Sequence, residues 1–178
     1  LIRNKGWGVT TFNNLDDLLT KVDQAYQCAQ VGSVAEPVEL APVEPVEQVL
    51  NVQMGRDFRD IPLAEKKALA ERYNQVMLGH SDRIIDTQAV YQDTFSHIIL
   101  ANSEGAYIEQ EKPSVVIGAF AIARDGDNVQ QAHETLSSTQ GYEYVLDKDE
   151  LARKTAQKAV ELLSARTVKA GQYPVVVD

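Results

Sequence analysis

The stretch that decides the fold is Pro113-Ser114-Val115-Val116-Ile117-Gly118-Ala119-Phe120-Ala121-Ile122-Ala123. From Val115 to Ala123 it is apolar at odd and even positions alike. Strand side chains alternate between the two faces of a sheet, so this run predicts a central strand covered on both sides. Upstream, Ile84 to Tyr91 and Phe95 to Ala101 read as two strands separated by polar residues. Asn102-Ser103-Glu104-Gly105 is a turn with Asn first and Gly last, leading into Ala106 to Glu111. Downstream, Asp125-Gly126 turns the chain into Val129 to Ser137. Consecutive strands with short turns make an antiparallel meander.

Helical periodicity appears on either side of it. Asn14 is placed to cap a helix from Leu15 to about Val31, with Asp16 and Asp17 at its positive end. Leu15, Leu18, Leu19, Val22, Ala25, Tyr26 and Ala29 form its apolar stripe. Pro62 suits the first turn of a half-exposed helix, Leu63 to Leu78, and Gly79 ends it. A third helix runs from about Glu150 to Ala165, capped by Asp147 or Asp149. Its broad apolar face anchors it to the sheet, each large aliphatic side chain contributing about 1.5–3 kcal/mol on burial. At the ends, Leu1 to Arg3 and Trp7 to Phe12 read as strands joined at Asn4-Lys5-Gly6, and Tyr173 to Val177 reads as a final strand.

The expected class is therefore α+β, an antiparallel meander packed with about three helices. Residues 1–32 are a hairpin plus helix, and 49–178 hold the second helix, the meander, the third helix and the final strand. Between them, 33–48 carries Pro37, Pro42 and Pro45 and a repeated Glu-Pro-Val-Glu at 36–39 and 44–47, which predicts an extended connector. No Met opens the chain, which begins on half a hairpin and stops one residue after Val175-Val176-Val177, so it reads as an excised segment.

The 178 residues carry a formal charge of −9. The basic stretches Lys66-Lys67 with Arg72, and Lys154 to Lys158, sit among glutamates, so nucleic acid and anionic membranes are disfavoured partners. Cys28 is the only cysteine, which excludes an internal disulfide and fits a reducing, cytoplasmic setting. No apolar run approaches the ~18 residues that span a bilayer.

Candidate chemistry is sparse. His133-Glu134 opens like the zinc motif His-Glu-x-x-His, in which residues four apart share a helix face, but Ser137 stands at the second ligand position and the surroundings read as strand. His80 with Asp82, and Asp93 with His97, each make half a site at most. Cys28 lies beside Ala29 on an apolar helix face and reads as a small hydrophobe. Trp7 packs a strand end, and Gly6-Trp7-Gly8 is followed by strand instead of the helix a phosphate cradle requires. The residues therefore assign no catalytic, metal or substrate-binding position.

Order and spacing carry a further signal. Tyr91-Gln-Asp, then Ile99-Leu-Ala-Asn102-Ser103-Glu-Gly105, the long apolar strand and Arg124-Asp125-Gly126 resemble the N-terminal domain of the TldD/PmbA peptidases, also called modulators of DNA gyrase. Val129-Gln-Gln, Gly141-Tyr142-Glu143, Ala159 to Ala165 and Ala170-Gly171-Gln-Tyr-Pro174 are similar to the family's later stretches, the Gly-Tyr-Glu favouring its TldD branch. The Glu-Pro-Val-Glu connector and the absence of an opening helix and first strand before Leu1 depart from the pattern. The resemblance implies a zinc metallopeptidase whose ligands lie on a His-Glu-x-x-x-His helix beginning shortly after Asp178, and on a later cysteine. It implies homo- or heterodimers that enclose the active site and cut unfolded peptides, including peptide-antibiotic precursors and an antitoxin. This chain would be the non-catalytic, substrate-shaping and dimer-forming domain, with no cofactor of its own. The competing reading is a free-standing peptide- or protein-binding module.

Overall fold

A computed structural model describes residues 2–3, 6–31, 41–166 and 168–177, and the chain divides into two units, Leu1–Pro45 and Val46–Asp178. In the first, β1 (Ile2–Arg3) pairs antiparallel with β2 (Gly6–Trp7), and α1 (Leu18–Val31) follows. Glycine is required just after β2. A Cβ on Gly8 would fall 1.8 Å from the Ala25 carbonyl oxygen, so backbone meets helix directly. Ala25 and Ala29 are the buried residues of α1. Tyr26 is half-buried and the remainder of the expected stripe is exposed, Leu19 at 81%. The strand expected to reach Phe12 ends at Trp7, and the helix begins three residues after Leu15. There the Leu18 N–H donates to the Leu15 carbonyl, a tighter turn in place of a first α-turn, so Asn14 caps nothing. Asn4, Lys5 and the first Glu-Pro-Val-Glu lie outside the described residues.

The second unit contains β3 (Glu47–Leu50), α2 (Leu63–Leu78), β4 (Ile84–Ala101), β5 (Tyr107–Asp125), β6 (Asn128–Ser138) and α3 (Asp149–Leu162). Short 3₁₀ turns occupy Phe58–Asp60 and Tyr142–Val145. The class is α+β, as expected, but the sheet is mixed. β4, β5 and β6 form the antiparallel meander, whereas β3 pairs parallel with β5, Glu47 opposite Tyr107. The expected connector therefore ends before Glu47. Its last residues enter the sheet because the Gln48-Val49-Leu50 backbone finds an edge of β5 that β6 leaves free.

That edge explains the strand lengths. β3 covers 107–110 of β5 and β6 covers 115–125. Pro113 falls in the gap between them, where a missing N–H interrupts neither ladder. The segments expected as separate strands consequently fuse into β5, 19 residues long, and opposite it into β4, 18 residues long. Gln92, Asp93 and Thr94, taken as a break, pair with Val116, Val115 and Ser114.

Odd-numbered residues of β5 from Val115 to Ala123 are buried against Leu69, Tyr73 and Met77 of α2 and Ala152, Ala156 and Ala159 of α3. Small side chains on both β5 and α3 let the elements approach closely. Within this unit only one of the two faces expected to be covered is packed by helices: α2 and α3 both lie on this face, and Phe120 on the other is 38% exposed. Of the predicted caps, Pro62 and Gly79 flank α2 as expected. α3 follows Lys148 with no side-chain cap and ends at Leu162. The final strand is also absent. Residues 173–177 take no strand pairing, and Val176 is 95% exposed.

Candidate functional site

The residues weighed for chemistry do not converge. His133 and Glu134 are neighbours on β6 and so point to opposite faces. His133 stacks on Phe120, ring centroids 5.9 Å apart, while Glu134 accepts from Lys158 on α3 at 2.9 Å. His80 follows the C-terminus of α2, its N–H bonded to the Met77 carbonyl, and Asp82 stands in the exposed turn beyond. Asp93 and His97 share a face of β4 but take different partners, Lys66 at 2.5 Å and Glu109 at 2.9 Å. Cys28 is exposed on α1 and Trp7 is exposed on β2. Among the described residues no group of three His, Cys, Asp or Glu side chains is arranged to hold a metal.

Polar side chains concentrate instead where α2 begins and the 142–145 turn crosses β4. Glu143 is the clasp. Its carboxylate accepts from the backbone N–H groups of Gly55 at 3.2 Å, Arg56 at 2.8 Å and Gly141 at 3.3 Å. Desolvation opposes the charge, yet those N–H donors win and hold the carboxyl below its ordinary pKa. Gly141 must be glycine, since a Cβ would lie 2.4 Å from the Arg56 carbonyl oxygen. Between them Tyr142 is fully buried, edge-on to Tyr91, with the Arg56 guanidinium 5.1 Å above its ring. Each residue of Gly-Tyr-Glu thus has a structural task.

Next to it lies the half-buried ion pair of Lys66 and Asp93, its ammonium 5.6 Å over the Tyr91 ring. The Tyr91 hydroxyl is buried without a hydrogen-bond partner; burial, then the nearby Asp93 charge, pushes its pKa far up. Arg59 rests 3.8 Å over Phe95 and is held by Asp57. Local spacing offered no sign of this cluster, because Lys66 and Asp93 are 27 residues apart. On the far side, the Tyr73 hydroxyl donates to the Val145 carbonyl and accepts from the Lys148 N–H, joining α2 to the start of α3. These groups are committed to one another.

The uncommitted surfaces belong to the sheet. Among the described residues β4 pairs only with β5, as does β6, so each has an outer edge free of strand partners. Eighteen extended residues of β4 span about 60 Å of such edge. An edge offers N–H and C=O groups at a regular spacing and can hold an extended peptide with little regard for its side chains.

Residues 56–166 match the PmbA/TldA metallopeptidase central domain. The chain belongs to the PmbA/TldD metallopeptidase family. A metalloprotease of Synechocystis sp. is 38% identical over 97% of this chain and 37% of its own length. A zinc metalloprotease TldD homolog of Saccharolobus solfataricus is 30% identical over 99% of this chain and 38% of its own. The crystal structure of a Bacteroides thetaiotaomicron protein named as a modulator of DNA gyrase superposes with a TM-score of 0.77 at 18% identity, over 96% of this chain and 40% of that one. A Thermotoga maritima protein named in the same way gives 0.73 at 20% identity, over 95% of this chain and 38% of that one. The chain thus spans about two fifths of the length of the relatives it matches. For residues 56–166 it is the family's central domain that fits, where the resemblance in sequence pointed to an N-terminal one. Among the described residues no helix is long and apolar enough to cross a membrane.

Proposed function

We propose that this chain is a non-catalytic part of a zinc metallopeptidase that cleaves unfolded peptides in the cytoplasm. Its role is to shape access to a cleft built by the rest of the polypeptide and to take part in homo- or heterodimers. One observation carries the reading: among the described residues, the charged groups of unusual pKa or close geometry are spent on structure, while the outer edges of β4 and β6 take no strand partner. Glu143 binds backbone N–H groups, Lys66 holds Asp93, and His97 holds Glu109. None is left with a substrate-facing pocket, a nucleophile or a set of metal ligands. Among the described residues no three His, Cys, Asp or Glu side chains gather to hold a metal, which supports placing the zinc elsewhere in the protein.

The free edges suit a peptidase that accepts segments of varied sequence, because main-chain pairing supplies affinity without reading side chains. The test uses one unfolded peptide, the full-length protein and the 178-residue chain. The full-length protein releases new termini until a chelator is added, and the chain alone releases none. Cleavage by the pure chain would overturn the proposal. Tight peptide binding by the chain, combined with chelator-insensitive inactivity of the full-length protein, would favour a binding module instead.

A further inference from the structure

β5 is apolar on both faces, yet α2 and α3 lie on one. On the other, Val90, Val116 and Ile122 share the face with Phe120, which stacks on His133 with rings 17° from parallel. Gly118 makes room for that ring, since a Cβ there would meet Phe120 at 3.1 Å. A groove of about 350 Å³ runs beside it, lined by Asp86, Gln88, Phe120, Ile122 and Gln131. The strand registers place only three charged residues on this face: Asp86 lines one end of the groove, opposite Ile122, and Lys112 and Arg124 lie farther from Phe120. Besides His133, glutamine, serine and threonine fill the remaining polar positions. The helical side is different, with Lys67, Glu71, Arg72, Arg153 and Lys158 exposed.

Loss of charge around an aromatic centre is the composition that separates the core of an interface from ordinary surface, whereas bulk hydrophobicity is not. We propose that this open sheet face docks the remainder of the same polypeptide, through an uncharged and mainly apolar surface carrying amide or hydroxyl groups to meet Gln88 and Gln131. The proposal rests on the functional reading above, in which the metal-bearing part lies outside these residues. The relatives' length supports that occupant, since they are more than twice as long as the matched stretch. Tethering favours it too, because a linked domain is present at an effective concentration of about millimolar.

The experiment places the photo-crosslinker benzoylphenylalanine at Gln88, at Thr135 on the same face, and at Glu71 on the exposed side of α2, each in the full-length protein. Isotopically light and heavy preparations are mixed before irradiation, and the crosslinked peptides are sequenced by mass spectrometry. The expected result is several-fold more crosslink from Gln88 and Thr135 than from Glu71, within one copy, to residues outside the 178. Crosslinks between light and heavy copies, to residues 1–45 or only to added unfolded peptide, or yields no higher than at Glu71, overturn it. If either face position impairs folding by circular dichroism, the other decides. Chelator-sensitive cleavage is assayed on the same preparations. Activity without the intramolecular crosslink refutes the docking alone, and the crosslink without activity refutes the peptidase reading alone.

Discussion

Replacing Gly141 by alanine tests whether the Gly-Tyr-Glu clasp works through backbone contact. The added Cβ would lie 2.4 Å from the Arg56 carbonyl oxygen and 2.5 Å from a Glu143 carboxylate oxygen. The carboxylate can rotate away, but the carbonyl is backbone and accepts the Tyr142 N–H at 2.8 Å. Overpacking a tight site costs about 1–3 kcal/mol. Stretching that hydrogen bond adds about 1 kcal/mol and the reduced unfolded-state entropy returns about 0.4–1 kcal/mol, for a loss of about 1–3.5 kcal/mol in all. Gly55→Ala is the control. Its Cβ would meet only the Glu143 side chain, at 2.9 Å. Loss of unfolded-state entropy gives back about 0.4–1 kcal/mol, so the net change should stay within about 1 kcal/mol. Urea unfolding followed by far-UV circular dichroism measures both. Tryptophan emission is the wrong probe, because the only tryptophan, Trp7, sits in the other unit. Equal losses in the two variants, or a loss below about 1 kcal/mol for Gly141→Ala, would refute the reasoning.

Glu143→Gln should be less stable than the parent at neutral pH. Because the folded carboxyl titrates below the ordinary 4.5, its stabilisation is present above that value and disappears as pH falls through the folded pKa. The two urea midpoints should therefore converge in acid, and a gap that persists there would show that charge is not the cause. Tyr73→Phe strands the buried Val145 carbonyl and the Lys148 N–H, and should lower stability by about 1–3 kcal/mol in the same assay. A glutamate-specific protease should cut after Glu44, exposed and outside any element, before it cuts at Glu71 within α2. Earlier cleavage at Glu71 would contradict the second unit's cohesion.

The meander, its turns and α2 were legible because each rests on local signals: period-two or helical patterning, Asn102 and Gly105, Asp125-Gly126, Pro62 and Gly79. What escaped depends on partners distant in sequence. β3 looked like connector since its proline-rich flank gives no alternation, and only the free edge of β5 sixty residues on makes it a strand. The same apolar run that identified β5 suggested two covered faces, but burial of the second needs atoms that α2 and α3 do not supply. Val175 to Val177 has strand composition without a strand to pair with among the described residues. That His133 and Glu134 face opposite sides of the sheet could be argued from the strand period alone. The Lys66–Asp93 pair and the Glu143 clasp could not, because each joins segments separated by tens of residues.

The two strands that share one edge of β5 reach it by very different routes. β6 arrives through a two-residue turn at Gly126, which adopts the left-handed conformation, φ 59°, that such a turn needs. β3 must close a loop from Glu47 to Tyr107 before its first pairing forms. Loop-closure entropy and the lower stability of a short parallel ladder both place that event late in folding. Until it happens, the far end of the β4–β5 hairpin carries Ile98, Leu100 and Ile108 with an open edge, a template for pairing between nascent chains. Among amides hydrogen-bonded between strands, exchange should accordingly be fastest where Glu47–Leu50 pairs with 107–110. Substitutions that weaken those four residues should reveal themselves first as aggregation during synthesis, before any change in the melting temperature of the finished molecule.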